Sequence, residues 1–304
     1  MKKLKKGFMI IVGLMMMLMM VSCGNHQEDN QETKPVMATD NVSHKTDEDN
    51  QGSQEVSGTV SKEDEFLYEE VDGKIVVTRY KGEANVIIIP ETLGGKPVEE
   101  IGENAFKGNN NITEVVMPDS VITIGRGAFR ECRYLAKVTF GQKLEVIGGS
   151  AFYLTALEAV VLPDTVTVIG GKAFGCSQIT EITIPPLVTE IKSGTFSVTK
   201  LKEVTIPSTV KKIEERAFEH CEDLKVVLIE EGTEIIEKYV FHGCVSLEEI
   251  TFPSSITEIH EYAVLNSGPS DKALKIYVPA GGVAESVLGP EYKGQEEYYE
   301  VIAQ

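Results

Sequence analysis

Positive charge is scarce in this chain: 29 lysines and arginines stand against 47 aspartates and glutamates, a formal net charge of −18. Phosphate binding needs clustered Lys and Arg, so the balance argues against nucleic acid as a partner, and repulsion disfavours adhesion to an anionic membrane surface. Tryptophan is absent and aromatic residues make up only 7% of the sequence, although the 42% apolar content is enough for a real core. Catalytic signatures are missing too. There is no Gly-x-Ser-x-Gly elbow, no Walker loop and no His-Glu-x-x-His, and no motif places a serine or aspartate beside a histidine. The expectation is a non-enzyme that calls for no cofactor. Long apolar runs are also lacking, with one exception near the N-terminus.

That exception is Phe8 to Met20, preceded by Lys2, Lys3, Lys5 and Lys6. It is shorter than the roughly 20 apolar residues a spanning helix needs, which disfavours an uncleaved anchor, and its basic-then-apolar order reads as a secretory signal. Met20-Val21-Ser22-Cys23-Gly24 follows and resembles a bacterial lipobox, with Met20 in place of the more usual Leu. The resemblance implies a signal peptide over residues 1–22 and a lipidated Cys23 as the new N-terminus. The protein would then sit in the bacterial cell envelope outside the cytoplasmic membrane, meeting the bilayer only through its acyl anchor. Residues 23–64 are polar and aperiodic, with ten acids against three lysines from Gly24 to Asp64. Such a stretch cannot bury enough surface to offset its ordering entropy, and the expectation is a self-repelling, disordered tether.

Beyond it the chain repeats. Ile-Gly-x-x-Ala-Phe occurs at Ile101 to Phe106, Ile124 to Phe129, Ile147 to Phe152 and Ile169 to Phe174. Looser copies run from Ile191 to Phe196, Ile213 to Phe218, Ile236 to Phe241 and Ile259 to Val264. The 22–23 residue period lies in the range of leucine-rich repeats. Each copy reads as one turn of a coil. Leu201-Lys202-Glu203-Val204-Thr205-Ile206-Pro207 alternates polar and apolar residues as a strand and ends at a proline, which has no donor for the ladder. Val210-x-x-Ile213 is a second extended piece, and Ala217-Phe218 opens a short helical or 3₁₀ corner. Phe129 to Leu135 spans six positions whereas Phe152 to Leu157 spans five, so the length change falls in the corner and leaves the strand registers intact.

One such turn cannot bury its own apolar side, but stacked turns share a continuous core. The reading is a leucine-rich-repeat solenoid, a right-handed coil of about eight repeats over residues 90–279. A strand cap covers residues 65–89, with breaks at Asp72-Gly73 and Lys81-Gly82. A second cap covers residues 280–304, with a short helix near Val283 to Leu288 and a last strand near Tyr298 to Ile302. The Ile-Gly-x-x-Ala-Phe cores resemble the BspA-like, or Treponema pallidum-type, leucine-rich-repeat family. Strand endings such as Val115-Val116-Met117-Pro118, Val160-Val161-Leu162-Pro163 and Ile250-Thr251-Phe252-Pro253 carry the same resemblance. It implies a surface interaction protein. Members of the family are typically bacterial surface proteins, some implicated in adhesion to host extracellular-matrix proteins or other cells. The competing reading is an envelope scaffold or glycan-binding module facing the organism's own wall.

A binding face is the remaining functional candidate. The outward column of the first strand runs Val116, Thr139, Val161, Thr183, Thr205, Leu228, Thr251, Tyr277, beside a column of Glu114, Lys137, Ala159, Glu181, Glu203, Val226 and Glu249. β-Branched residues suit exposed strands regardless of function, so the ladder alone does not establish a site. Cys132, Cys176, Cys221 and Cys244 recur at one corner and read as free, buried fillers of a column that Asn109, Thr155 and Thr199 occupy in other copies. His220-Cys221 and His242-x-Cys244 fall on neighbouring turns as a zinc-like set. With each Cys inward and His220 outward, no metal site is expected from them.

Overall fold

The computed structural model describes residues 60–288 and 299–304. The signal segment 1–22, Cys23 and nearly all of the acidic stretch lie outside the described residues. So does the span 289–298 between the C-terminal helix and the last strand.

Alternation builds the coil. In Glu203–Ile206 the side chains run exposed, buried, exposed, buried, and the strand pairs in parallel with Val226–Ile229 in unbroken register, Glu203 to Val226 through Ile206 to Ile229. One face stacks ten such strands among the described residues. They are Val86–Ile88, Glu114–Val116, Lys137–Thr139, Ala159–Val160, Glu181–Ile182, Glu203–Ile206, Val226–Ile229, Glu249–Thr251, Leu274–Val278 and Tyr299–Ala303. A second face stacks short strands from Lys96–Ile101 to Glu258–Ile259, whose inward isoleucines Ile101, Ile124 and Ile147 align. The ladders on the first face are shortest where the period is 22 residues. Between Lys137 and Glu203 only Ala159–Val160 with Glu181–Ile182 remains strand-paired.

The coil therefore has about ten turns rather than eight, and both additions lie in segments expected to be caps. At the N-terminal end β1 (Phe66–Val71) and β2 (Lys74–Tyr80) form the expected antiparallel hairpin about Asp72-Gly73. Val86–Ile88, however, pairs in parallel with Glu114–Val116 and is already a coil strand, so the cap ends before residue 89. At the other end α1 (Val283–Leu288) forms where expected, and Tyr299–Ala303 joins the sheet beside Leu274–Val278.

Inside, phenylalanines form a ladder. Phe106, Phe129, Phe152, Phe174, Phe196, Phe218 and Phe241 stack with ring centroids 4.7 to 5.8 Å apart and interplanar angles of 17° or less. Tyr80 and then Phe66 of the hairpin continue it at 5.5 and 5.2 Å, so the cap closes the core with the same chemistry.

The corners are not α-helical but turns, whose local bonds are of the 3₁₀, three-residue type. Ala217 and Glu219 donate their N–H groups back to the Glu214 and Arg216 carbonyls, whereas Arg216, Phe218 and His220 donate to the Lys238, Val240 and His242 carbonyls of the next coil. An α-helix would send every N–H to its own carbonyls four residues back and leave none to join coils. The alternation goes with left-handed backbone at two places per corner, just before the Ala position and two after Phe. Arg216 (φ 61), His220 (φ 55), Lys172 (φ 58), Cys176 (φ 56) and Val198 (φ 57) are examples.

The third residue after Phe faces inward and must be small and able to donate. Ser177, Thr155 and Thr199 donate to the Phe174, Phe152 and Phe196 carbonyls of their own coil at 2.7, 3.0 and 2.9 Å. The buried free thiols of Cys132, Cys221 and Cys244 reach the preceding coil instead, bonding the Phe106, Phe196 and Phe218 carbonyls at 3.0, 3.2 and 3.2 Å. Cys176 departs from the expected column. It lies two residues after Phe174 and is half-exposed, its Sγ 3.5 Å from the Tyr153 hydroxyl, and Ser177 fills the buried place.

Two paired substitutions test the corner geometry. The glycine that follows Ile is set by close approach of coils rather than by a bend: a Cβ on Gly170 would fall 2.4 Å from the Gly149 nitrogen. Gly170→Ala should therefore lower stability by about 1–3 kcal/mol. Val198 is a β-branched residue held in the left-handed region with its side chain 42% exposed, a conformation that costs an L-residue about 1–2 kcal/mol. Val198→Gly should raise the urea midpoint at unchanged slope.

The thiols give a second test. Burial pushes the Cys132 thiol up from 9.0 to about 12 and holds Cys244 well above its usual range. Both should resist iodoacetamide at pH 8 in the native protein and react once denaturant is added. Because the folded value is raised, the contribution of Cys132 to stability is complete below pH 9 and is lost as the pH rises towards 12. A thermal midpoint that climbed over this alkaline interval would contradict the assignment.

Candidate functional site

The first face presents its outward residues in register. Val116 lies opposite Thr139, and Thr205, Leu228, Thr251 and Tyr277 follow one another across four successive strands. Their neighbours in sequence point inward: Val115, Val204, Val227, Ile250 and Ile276 are all buried. Val161 and Thr183 lie one residue beyond the short paired strands Ala159–Val160 and Glu181–Ile182. Val161 is the most open of the large apolar residues among the described residues, 85% exposed. Thr139, Thr183, Thr205 and Leu228 are exposed, while Val116, Thr251 and Tyr277 are half-buried. The expected column of eight is thus present as one surface.

It extends further at both ends. Ile88 pairs with Val116, and Ile302 pairs with Tyr277. Ile88 was recoverable from sequence, because Ile89-Pro90 repeats the strand ending of Met117-Pro118. No proline follows Ile302, and no comparable signal marks it.

The neighbouring column settles much of its own charge. Lys137 pairs with Glu114 of the preceding coil at 2.8 Å, and Lys275 with Glu249 at 3.0 Å. The Glu249 carboxylate correspondingly raises the Lys275 ammonium above its ordinary range. Between these pairs Glu181 and Glu203 carry no ion pair among the described residues, and Ala159 and Val226 flank them. The middle of the face is therefore acidic on one column and apolar or hydroxyl-bearing on the next.

Towards the C-terminal end the face deepens into a groove of about 420 Å³. Leu228, Thr251 and Tyr277 line it from the sheet, and Glu230, Ser254 and Pro279 line it from the loops after the strands. Glu231 stiffens its edge, accepting from the Ser254 N–H at 2.8 Å and the Ser254 hydroxyl at 2.9 Å. Those donors hold its carboxyl below the usual carboxylate range, the backbone N–H contributing most.

The zinc-like set separates on inspection. Cys221 and Cys244 turn inward to phenylalanine carbonyls, as above. The two histidines, by contrast, approach each other with ring centroids 5.3 Å apart, and the neighbouring Glu219 joins them. Neighbouring corner residues Glu219 and His220 thus converge with His242 of the next coil. Glu219 was invisible in sequence because nothing marks it among 47 acids.

Among curated proteins no sequence matches this chain. Solved structures similar to it include the leucine-rich repeat protein of T. pallidum, 26% identical with a TM-score of 0.51, the alignment covering 71% of this chain and 88% of that one. Others are a leucine-rich cell surface protein of Faecalibacterium prausnitzii (23% identical, TM-score 0.47, 70% and 76% covered) and a leucine-rich repeat protein of Bacteroides ovatus (18%, 0.38, 81% and 100%). The family model of the BspA type leucine-rich repeat region matches six copies over residues 99–225 and 223–276. That span is more than half of the chain, and it coincides with the stacked coils, their Phe ladder and their outward strand columns: the protein belongs to the BspA-type leucine-rich repeat family.

Proposed function

We propose that this protein acts by binding another protein on the strand face that runs through Val116, Thr139, Val161, Thr183, Thr205, Leu228, Thr251 and Tyr277. The observation that carries the reading is the groove, since three residues of that column line it and offer a place to seat a partner's side chain. An extended array of exposed positions is what a solenoid offers a partner. The unpaired acids Glu181 and Glu203 beside Val161 and Val226 favour a partner segment that alternates basic and apolar side chains. The partner class is host extracellular matrix or another cell surface.

Lipidation at Cys23, downstream of a cleaved 1–22 signal, would place this face outside the cytoplasmic membrane, with residues 23–64 as the spacer. The support is the lipobox resemblance and the composition of that spacer. No helix among the described residues is long and apolar enough to cross a membrane. Metabolic labelling with a fatty-acid analogue should mark the wild-type chain and leave Cys23→Ala unmarked; equal labelling of both would remove the anchor from the account.

The face itself is tested with the full chain, immobilised and exposed in parallel to collagen, fibronectin, laminin and fibrinogen and to purified cell wall. Thr205→Lys, Leu228→Lys and Tyr277→Lys combined should abolish retention of the matrix ligand, while Val168→Lys on the second face leaves it intact. Retention on cell wall alone would favour an envelope scaffold. Unchanged matrix retention by the triple variant would move the site elsewhere.

A further inference from the structure

At the corner after Phe218, the chain places Glu219 and His220 side by side, and His242 sits above them on the next coil. The backbone fixes this: the His220 N–H donates to the His242 carbonyl at 2.8 Å. Each of the three side chains offers one donor atom, and these three atoms lie within 4.8 Å of one another. His242 Nδ1 is 3.5 Å from Glu219 Oε1. His220 Nε2 and His242 Nδ1 are both shielded from solvent and neither has a hydrogen-bond partner. Two buried ring nitrogens without partners are a costly arrangement for a corner that could have used any polar residue.

We propose that Glu219, His220 and His242 form a site for a divalent transition metal, with zinc the best match, clamping two adjacent coils. Two imidazoles and a carboxylate are a nitrogen–oxygen donor set that suits zinc and its neighbours, whereas calcium and magnesium take oxygen cages. Three protein ligands leave a fourth position for water or for a donor from a bound partner. Ligands about 2.0–2.2 Å from a tetrahedral ion lie roughly 3.3 Å apart, so the present spacing, within 4.8 Å, has to close by no more than about 1.5 Å.

The surroundings fit the assignment. A Cβ at position 243 would fall 2.4 Å from His220 Nδ1, so Gly243 gives that ring its room and leaves Nε2 facing the cluster. Asn266 Nδ2 is 3.2 Å from His242 Nε2. Turned over, the same amide presents its oxygen to an Nε2–H and frees Nδ1 to ligate. One group opposes the metal. Arg216 Nε lies 3.4 Å from Glu219 Oε1 and competes for the carboxylate, although it also pairs with Glu215 at 3.5 Å and lies over the Tyr239 ring.

The test is titration of the untagged full chain with Zn²⁺ by calorimetry and with Co²⁺ by absorption. One equivalent should bind in each case, and the Co²⁺ complex should show ligand-field bands without thiolate charge transfer. His220→Gln and His242→Gln should each abolish stoichiometric binding, and Asn266→Leu should weaken it by about tenfold or more. Arg216→Gln should tighten it, while Cys221→Ser with Cys244→Ser leaves it unchanged. Zinc should raise the thermal midpoint of the wild-type chain and not that of the histidine variants. No binding, binding indifferent to both histidine changes, or a thiolate band in the wild-type Co²⁺ spectrum would each overturn the proposal. The last readout needs no variant and stands even if a substitution impairs folding.

Discussion

Everything in this fold depends on one distance, the rise from coil to coil. Parallel strands hydrogen-bond at about 4.7–4.9 Å, and offset-stacked aromatic rings prefer centroids about 4.5–7 Å apart. The observed ring spacings of 4.7 to 5.8 Å fall within the stacking range and lie at or within about an ångström of the strand spacing. A phenylalanine can therefore sit at the same place in coil after coil without straining either the sheet or the stack. Ala before it and a small donor after it follow from the same spacing, because the space beside a stacked ring column admits nothing large. Burial on this scale offsets the entropy of ordering the coils, which have one short α-helix among the described residues.

That rise also explains the corner backbone. Each coil must hand some of its N–H groups to its neighbour, so the corner alternates between local and inter-coil hydrogen bonds and passes through the left-handed region twice. Glycine would be the easy occupant, and Gly127, Gly194 and Gly243 take it. Leu154, Val198 and Tyr239 adopt the same conformation without that freedom, which shows that inter-coil bonding outweighs the local strain.

The coil was legible because the repeat is a statement about burial. Ile-Gly-x-x-Ala-Phe names inward positions, and the one-residue deletion between Phe152 and Leu157 kept every inward column aligned. The outward strand column followed directly, since alternation fixes which residue faces out. Legibility ended where burial no longer dictates spacing. The step from Val86 to Glu114 is 28 residues because Thr92–Leu93 and Lys96–Ile101 form an antiparallel excursion inside the coil. Lys275 to Glu300 is 25. Both terminal coils therefore escaped the 22–23 period and read as caps. Cys176 was misplaced by one residue for a related reason: a thiol suits both the buried position and the half-exposed one before it, and composition alone does not choose between them.

The two candidate sites lie in the two places where the repeat leaves residues free to differ. Outward strand positions are constrained only to tolerate extended backbone, so Val161, Leu228 and Tyr277 can appear among threonines without disturbing the stack. Corner positions immediately after Phe are constrained by backbone conformation but not by packing, so Glu219, His220 and His242 can occupy places held elsewhere by Lys107, Gly108 and Arg130. Stacking then turns sequence positions 23 residues apart into contacting neighbours, as Glu219 and His242 demonstrate. A solenoid of this kind gathers chemistry by register alone: any pair of residues one period apart at a variable position becomes adjacent, with no change to the core that holds the coils together.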